Sequence, residues 1–136
     1  MKLHVLLSTA LLAVGLVSCD STIQYQRNNT AAHVWLNTHT APAAASFNGT
    51  WNSDDWGDAF LSQSGRDLTG FFGKYRVEGV VSGQTCYLLL SDGGWYDYSM
   101  ALSKLNDTIL HGYYSRSVPY NLRDERPVMM RRAHLR

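Results

Sequence analysis

The side chains that could carry out chemistry in this 136-residue sequence are mainly histidines, aspartates and tyrosines. No two of the histidines have the close Cys/His spacing of a structural zinc site. We therefore predict no metal site and no cofactor, and we expect His33 and His39 to be solvated. The five histidines are His4, His33, His39, His111 and His134.

Three aspartates, Asp54, Asp55 and Asp58, follow Trp51 closely in the sequence. An oxygen-rich calcium loop was weighed here, but the EF-hand spacing, with its central Gly and terminal Glu, is absent. Asp and Asn favour turns because their side chains bond to their own backbone. We interpret this stretch as a turn.

Catalysis would require a nucleophile with a base in reach, or two carboxylates facing each other across a cleft. No serine lies in a nucleophile elbow, and Glu78 is one of only two glutamates. Its position beside Gly79 in a predicted strand indicates an exterior residue. We predict no catalytic residues and no enzymatic activity.

A candidate ligand-binding patch comes from two neighbouring predicted strands. Tyr96, Tyr98 and Met100 share one face of the first strand, and His111 and Tyr113 share a face of the next. Antiparallel pairing could bring these faces together as flat rings with hydroxyl tips. Tyrosine also suits a dry core if its oxygen finds a partner, so ligand binding and core packing both remain open.

Turn-forming residues recur every 9–14 positions after residue 46, close to the spacing expected of meandering antiparallel strands. No later stretch shows a sustained helical period. The predicted strands cover residues 47–51, 57–63, 67–72, 75–81, 85–91, 95–102, 108–114 and 126–132.

Glycines recur in the middle of these strands. Residues 68–72, 77–81 and 110–114 repeat the order apolar, polar, Gly, apolar, apolar. Glycine inside a strand usually marks sharp curvature or close backbone approach, as when a sheet curls to close. The predicted fold class is all-β: an antiparallel up-and-down meander of about eight short strands closing into a small barrel, preceded by a flexible N-terminal tether.

The N-terminus reads as a signal peptide, with Lys2 followed by an apolar run of about 13 residues, too short to span a bilayer. The run ends in Leu16-Val17-Ser18-Cys19, which resembles the lipobox of bacterial lipoproteins. That resemblance implies cleavage after Ser18, lipidation of Cys19 and a bacterial cell-membrane location facing the periplasm or the exterior. Cys86 then has no intramolecular disulfide partner. We expect it to be a small, buried hydrophobic residue on a strand.

The order Gly49-Thr50-Trp51, Trp56-Gly57, Leu61 to Gly65 and Thr69-Gly70 is similar to the opening of avidin-like and lipocalin-like barrels, and to lipoprotein barrels of unknown function. The biotin contacts of avidins cannot be placed here. The predicted domains are a signal peptide over 1–18, a lipidated N-terminus and tether over 19–45, and a barrel over 46–136. A short arm around His33–Leu36 packing onto the barrel was the alternative to the tether.

Charge and composition narrow the function. Lys and Arg number 12 against 11 Asp and Glu, so the chain lacks the basic footprint of a nucleic-acid binder. Three Asn-x-Thr sites fit a secreted eukaryotic protein instead, but we favour the lipobox. We expect a non-enzymatic envelope lipoprotein that binds a small apolar ligand or an envelope protein. A solid structural or inhibitory barrel acting through its loops is the alternative, and an envelope enzyme is the least favoured.

Overall fold

The computed structural model describes the backbone of residues 4–133 and the side chains of residues 21–133. A helix, α1, precedes eight strands, and a short 3₁₀ helix at Leu122–Asp124 lies before the last strand. The elements are α1 His4–Asn37, β1 Gly49–Ser53, β2 Gly57–Ser64, β3 Asp67–Phe72, β4 Tyr75–Ser82, β5 Thr85–Asp92, β6 Trp95–Asn106, β7 Ile109–Ser115 and β8 Glu125–Arg132.

The eight strands form a closed antiparallel barrel in which each strand pairs with its sequence neighbour and β8 pairs with β1. The all-β, up-and-down barrel prediction is confirmed. The largest differences from the predicted bounds are at β1, which begins at Gly49 rather than 47, and at β6, which continues to Asn106 rather than 102.

Mid-strand glycines allow the sheet to curl, as the sequence predicted. A Cβ on Gly70 would collide with the carbonyl of Phe60 on β2, and one on Gly112 would collide with the carbonyl of Ala101 on β6. At both positions the backbones of adjacent strands come too close for any side chain. These glycines are therefore a geometric requirement of closure.

Alternation along each strand fills the barrel interior with apolar side chains. In β4, for example, Val77 and Val81 face inward and are fully buried. The interior is packed along most of its length, which leaves little room for a deep ligand cavity. The buried interior residues are Phe47, Trp51, Ala59, Leu61, Leu68, Phe72, Val77, Val81, Cys86, Leu88, Leu90, Met100, Leu102, Leu110, Val128 and Met130.

One end of the barrel is closed by the segment before β1. Ala43 bridges to Gly83, and the buried ring of Phe47 enters the core. The Phe47 N–H donates to Gln63 Oε1 at 2.8 Å, and the Trp51 indole N–H donates to the Phe47 carbonyl at 3.1 Å. Phe47 therefore plugs the barrel and does not pair as a strand residue, which explains the later start of β1.

The end of α1 packs against the outside of β5 and β6. Ala32 and Leu36 are buried against Leu89 and Tyr96 of the barrel wall. Around His33–Leu36, the chain therefore packs onto the barrel as the short arm that is the alternative to the tether. The predicted signal peptide, residues 1–18, and the side chain of Cys19 lie outside the described side chains.

Candidate ligand-binding cup

The second end of the barrel is filled by an aromatic cluster around Trp56. The β1–β2 turn carries Trp56 into the barrel mouth, where its ring meets four neighbouring rings edge-on. Such T-shaped contacts are a favoured geometry for aromatic pairs. The ring centroids lie 5.9 Å from Phe72, 6.0 Å from Tyr75, 5.0 Å from Tyr98 and 5.1 Å from Tyr114.

Above this cluster lies a pocket of about 340 Å³, which we call the cup. Its volume is at the low end of the range for small-ligand sites. The cup combines ring faces and hydroxyl tips with charged groups at the rim. It is lined by Asp55, Trp56, Phe72, Gly73, Lys74, Tyr75, Tyr98, Tyr114 and Arg116.

Two cations stand at the rim of the cup, and they differ in their partners. Lys74 Nζ lies 3.4 Å from Asp92 Oδ2, and the hydrogen bond to this carboxylate raises the pKa of Lys74. Arg116 forms no salt bridge with any carboxylate of the described residues. Its guanidinium group therefore remains able to pair with an anionic ligand.

The hydroxyl group of Tyr98 in the cup is held in its neutral form. Desolvation by burial, followed by a hydrogen bond with Tyr75, raises the pKa of Tyr98. Burial also raises the pKa of the nearby Asp97, and repulsion from Asp92 raises it further. Tyr98 is therefore available as a hydrogen-bonding group in the cup.

Tyr96 and Tyr98, which the sequence placed on one face, lie on opposite faces of the barrel wall. Leu90 pairs with Tyr98 and Ser91 pairs with Tyr96, so Asp97 is an extra residue on β6. This β-bulge breaks the two-residue alternation. Tyr98 consequently points into the cup, while Tyr96 points outward beneath α1.

His111 and Tyr113 also lie away from Tyr98. Both are on the exterior face of β7, where the side chain of Tyr113 is 48% exposed. Met100 is fully buried in the barrel core. The structure therefore does not bring the predicted patch together: Tyr98 lines the cup, Tyr96 packs under α1, and His111 and Tyr113 line a separate groove.

Sequence reasoning missed Trp56, Tyr75 and Tyr114 as cup residues. Tyr114 lies four residues after Leu110 on β7, and Tyr75 lies two residues before Val77 on β4. An even spacing places each tyrosine on the same inward face as its apolar neighbour, and this was the signal in the sequence. Trp56 gave no such signal because it lies in a turn, where no period indicates the direction of a side chain.

The histidines of the predicted tether both contact the barrel wall, although the side chain of His33 is still 40% exposed. His33 Nε2 lies 3.1 Å from Glu78 Oε1, and the Tyr96 hydroxyl donates to Glu78 Oε2 at 2.6 Å. His39 stacks on Tyr87 with ring centroids 3.4 Å apart. Burial lowers the pKa of His39. These contacts tie α1 and the segment after it to the barrel wall, and Glu78 is exterior as predicted.

Cys86 is fully buried, as the sequence predicted, and burial raises the pKa of its thiol. Asp54 and Asp55 lie in the turn between β1 and β2, as predicted, whereas Asp58 lies in β2 and accepts a hydrogen bond from Asn52 Nδ2 of β1 at 2.7 Å. Within residues 21–133, no three His, Cys, Asp or Glu side chains come together as a metal-binding group.

No protein-family model, no curated protein and no solved structure matches this chain. No helix in the described part of the chain has the length and hydropathy needed to cross a membrane.

Proposed function

We propose that this protein is a non-enzymatic binding barrel of the bacterial cell envelope, held at the membrane by a lipid on Cys19. The observation that carries the binding role is the cup, an aromatic pocket of about 340 Å³ at the end of an otherwise packed barrel. The cup places aromatic rings and tyrosine hydroxyls beside the charged groups of Lys74 and Arg116, a combination that suits the binding of a small ligand.

The chemistry of the cup indicates the class of ligand. Ring faces and tyrosine hydroxyls suit a flat molecule with polar edges. The guanidinium of Arg116, which forms no salt bridge with any described residue, favours a negative charge. The ligand class is therefore a small planar anion. This differs from the apolar ligand expected from the sequence, because the interior that would have held an apolar ligand is filled.

The binding role is tested with anilinonaphthalene sulfonate, a planar anionic fluorophore, titrated into the full-length protein in detergent. Uptake of the probe should enhance its fluorescence, and Trp56→Phe and Arg116→Gln should each weaken uptake at least fivefold. Trp95→Phe is the matched control, since Trp95 packs against Tyr25 and does not line the cup. Equal uptake by all four proteins, or no uptake at all, would contradict the proposal.

The membrane anchor is supported by Leu16-Val17-Ser18-Cys19 at the end of the apolar N-terminal run. Cleavage before Cys19 would leave the rest of α1 as a link between the lipid and the barrel. Asn28, which contacts the barrel, is nine residues from Cys19, or about 14 Å along a helix. The barrel would therefore sit close to the membrane surface.

The anchor is tested by Cys19→Ser expressed in a bacterium. The variant should lose the acyl mass and leave the membrane fraction as soluble or uncleaved protein. If it keeps the wild-type mass and still sediments with membranes, the lipobox interpretation is wrong.

A solid barrel that acts through its loops is the second candidate, because buried apolar side chains such as Phe47 and Met100 fill the barrel interior. The two candidates differ in one observable. A loop-acting barrel would keep its partner when Trp56 is replaced, whereas a cup-binding barrel would lose its ligand.

A further inference from the structure

The barrel wall is incomplete where its first and last strands meet. β8 pairs with β7 from Glu125 to Arg131, but it pairs with β1 only at Arg131 and Arg132. β1 ends at Ser53, where the chain turns to carry Trp56 into the cup. Residues 125–130 of β8 therefore border a gap, which we call the seam.

Two hydrogen bonds show which backbone groups face the seam. The Arg132 N–H donates to the Thr108 carbonyl on the β7 side at 2.8 Å, and the Ala133 N–H donates to the Thr50 carbonyl on the β1 side at 2.9 Å. Because successive residues of a strand direct these groups to opposite sides, the N–H and C=O of Met129 face the seam, as does the C=O of Pro127.

No strand of the described chain pairs with these groups, and solvent can reach them. A groove of about 400 Å³ follows the seam and is lined from both of its sides, by Ser53 and Asp54 on one and by Pro127 and Met129 on the other. The Met129 side chain is 51% exposed. Proline has no backbone N–H to donate. It is tolerated at position 127 because this side of β8 has no neighbouring strand that would need the donor.

Carboxylates line the groove, and no Lys or Arg is among its lining residues. Asp54 and Asp55 form one wall, and neither makes a salt bridge with any described residue. An occupant with a Lys or Arg side chain would neutralise this wall.

We propose that the seam accepts an extended peptide segment of a partner protein as an added strand, with a basic residue next to Asp54 and Asp55. Strand addition draws its affinity from main-chain hydrogen bonds and its specificity from alternate side chains. The N–H and C=O of Met129 supply the main-chain bonds, and the exposed Met129 and Tyr113 side chains contact the outward residues of the segment. The groove adjoins the cup at Asp55, which lines both, but Met129 is not among the cup residues.

The test uses a phage-displayed library of random heptapeptides selected on the full-length protein in detergent. Enriched peptides should alternate β-branched or apolar residues with polar ones and should contain Lys or Arg. Met129→Pro removes the free N–H without touching the β7 ladder and should weaken binding of synthetic copies at least tenfold. Met129→Ala keeps the N–H and should stay within threefold of wild type.

Two further measurements complete the test. Asp54→Asn should weaken binding and reduce its salt dependence. In the unaltered protein the Met129 amide should exchange rapidly when free and at least tenfold more slowly with peptide bound, which tests the proposal even if Met129→Pro does not fold. Failure to enrich any peptide, binding unaffected by Met129→Pro, or no protection of the Met129 amide would each overturn the proposal.

Discussion

Asn28 is the residue whose replacement tests most sharply how α1 is held to the barrel. Its side-chain amide donates from Nδ2 to the Tyr96 carbonyl at 3.2 Å and accepts the Tyr96 N–H on Oδ1 at 3.0 Å. Tyr96 flanks the β-bulge, where the sheet ladder is irregular. The Asn28 amide thus hydrogen-bonds both backbone groups of Tyr96.

The cost of Asn28→Ala follows from these two bonds. Each neutral hydrogen bond contributes roughly 1 kcal/mol, so that their loss costs about 2 kcal/mol. Alanine regains about 0.5 kcal/mol as the better helix former. The net loss of about 1.5 kcal/mol should lower Tm by about 6 °C for a folded part of this size.

Asn29→Ala is the matched control, because this change gives the same gain in helix propensity without either bond to Tyr96. The assay is a thermal or denaturant melt of both variants, with amide exchange at Tyr96 as a local readout. The Tyr96 amide should exchange faster only in Asn28→Ala. Equal melting of the two variants would refute the role of Asn28.

Three other predictions concern the core, the cup and the segment after α1. In a Cys19→Ser background, Cys86 should resist dithionitrobenzoate until the barrel unfolds, since burial raises the pKa of its thiol; rapid labelling of native protein would contradict this. Lowering the pH from about 7 to about 5 should reduce the free energy of unfolding, because the unfolded chain binds a proton at the ordinary histidine pKa of 6.5, whereas folded His39 binds it only at lower pH. His39→Phe should flatten that pH dependence in a denaturant titration, and an unchanged slope would be evidence against it. Tyr98→Ala should cost roughly 3 kcal/mol because its ring packs among the cup aromatics, whereas the exposed Tyr113→Ala should stay within about 0.5 kcal/mol in the same melt.

The barrel could be predicted from the sequence because its signals are local. A turn such as Asp92–Gly94 marks the end of one strand, and glycines such as Gly70 mark places where adjacent strands approach closely. Both kinds of signal lie in a few consecutive residues. The order of the strands then follows from their short connections.

The bulge on β6 and the packing of α1 could not be predicted from the sequence, because both depend on contacts between residues that are distant in sequence. The bulge at Asp97 reverses the direction of Tyr96 relative to Tyr98, and only the register with β5 reveals it. The packing of α1 is visible once β5 is known to be apolar on both faces, with Leu88 inward and Leu89 outward. An apolar outer face requires a cover, and the Ala32–Leu36 spacing supplies it.

We propose that the cup is the binding site of an otherwise packed barrel. The most direct measurement is an NMR titration of the isotope-labelled full-length protein with anilinonaphthalene sulfonate. We predict that the largest shifts fall on the Trp56 indole N–H and on the amides of Tyr75, Tyr98 and Tyr114. Shifts confined to the apolar outer groove of α1, near Val34 and Pro119, or an unperturbed Trp56 signal at saturating probe, would contradict the claim.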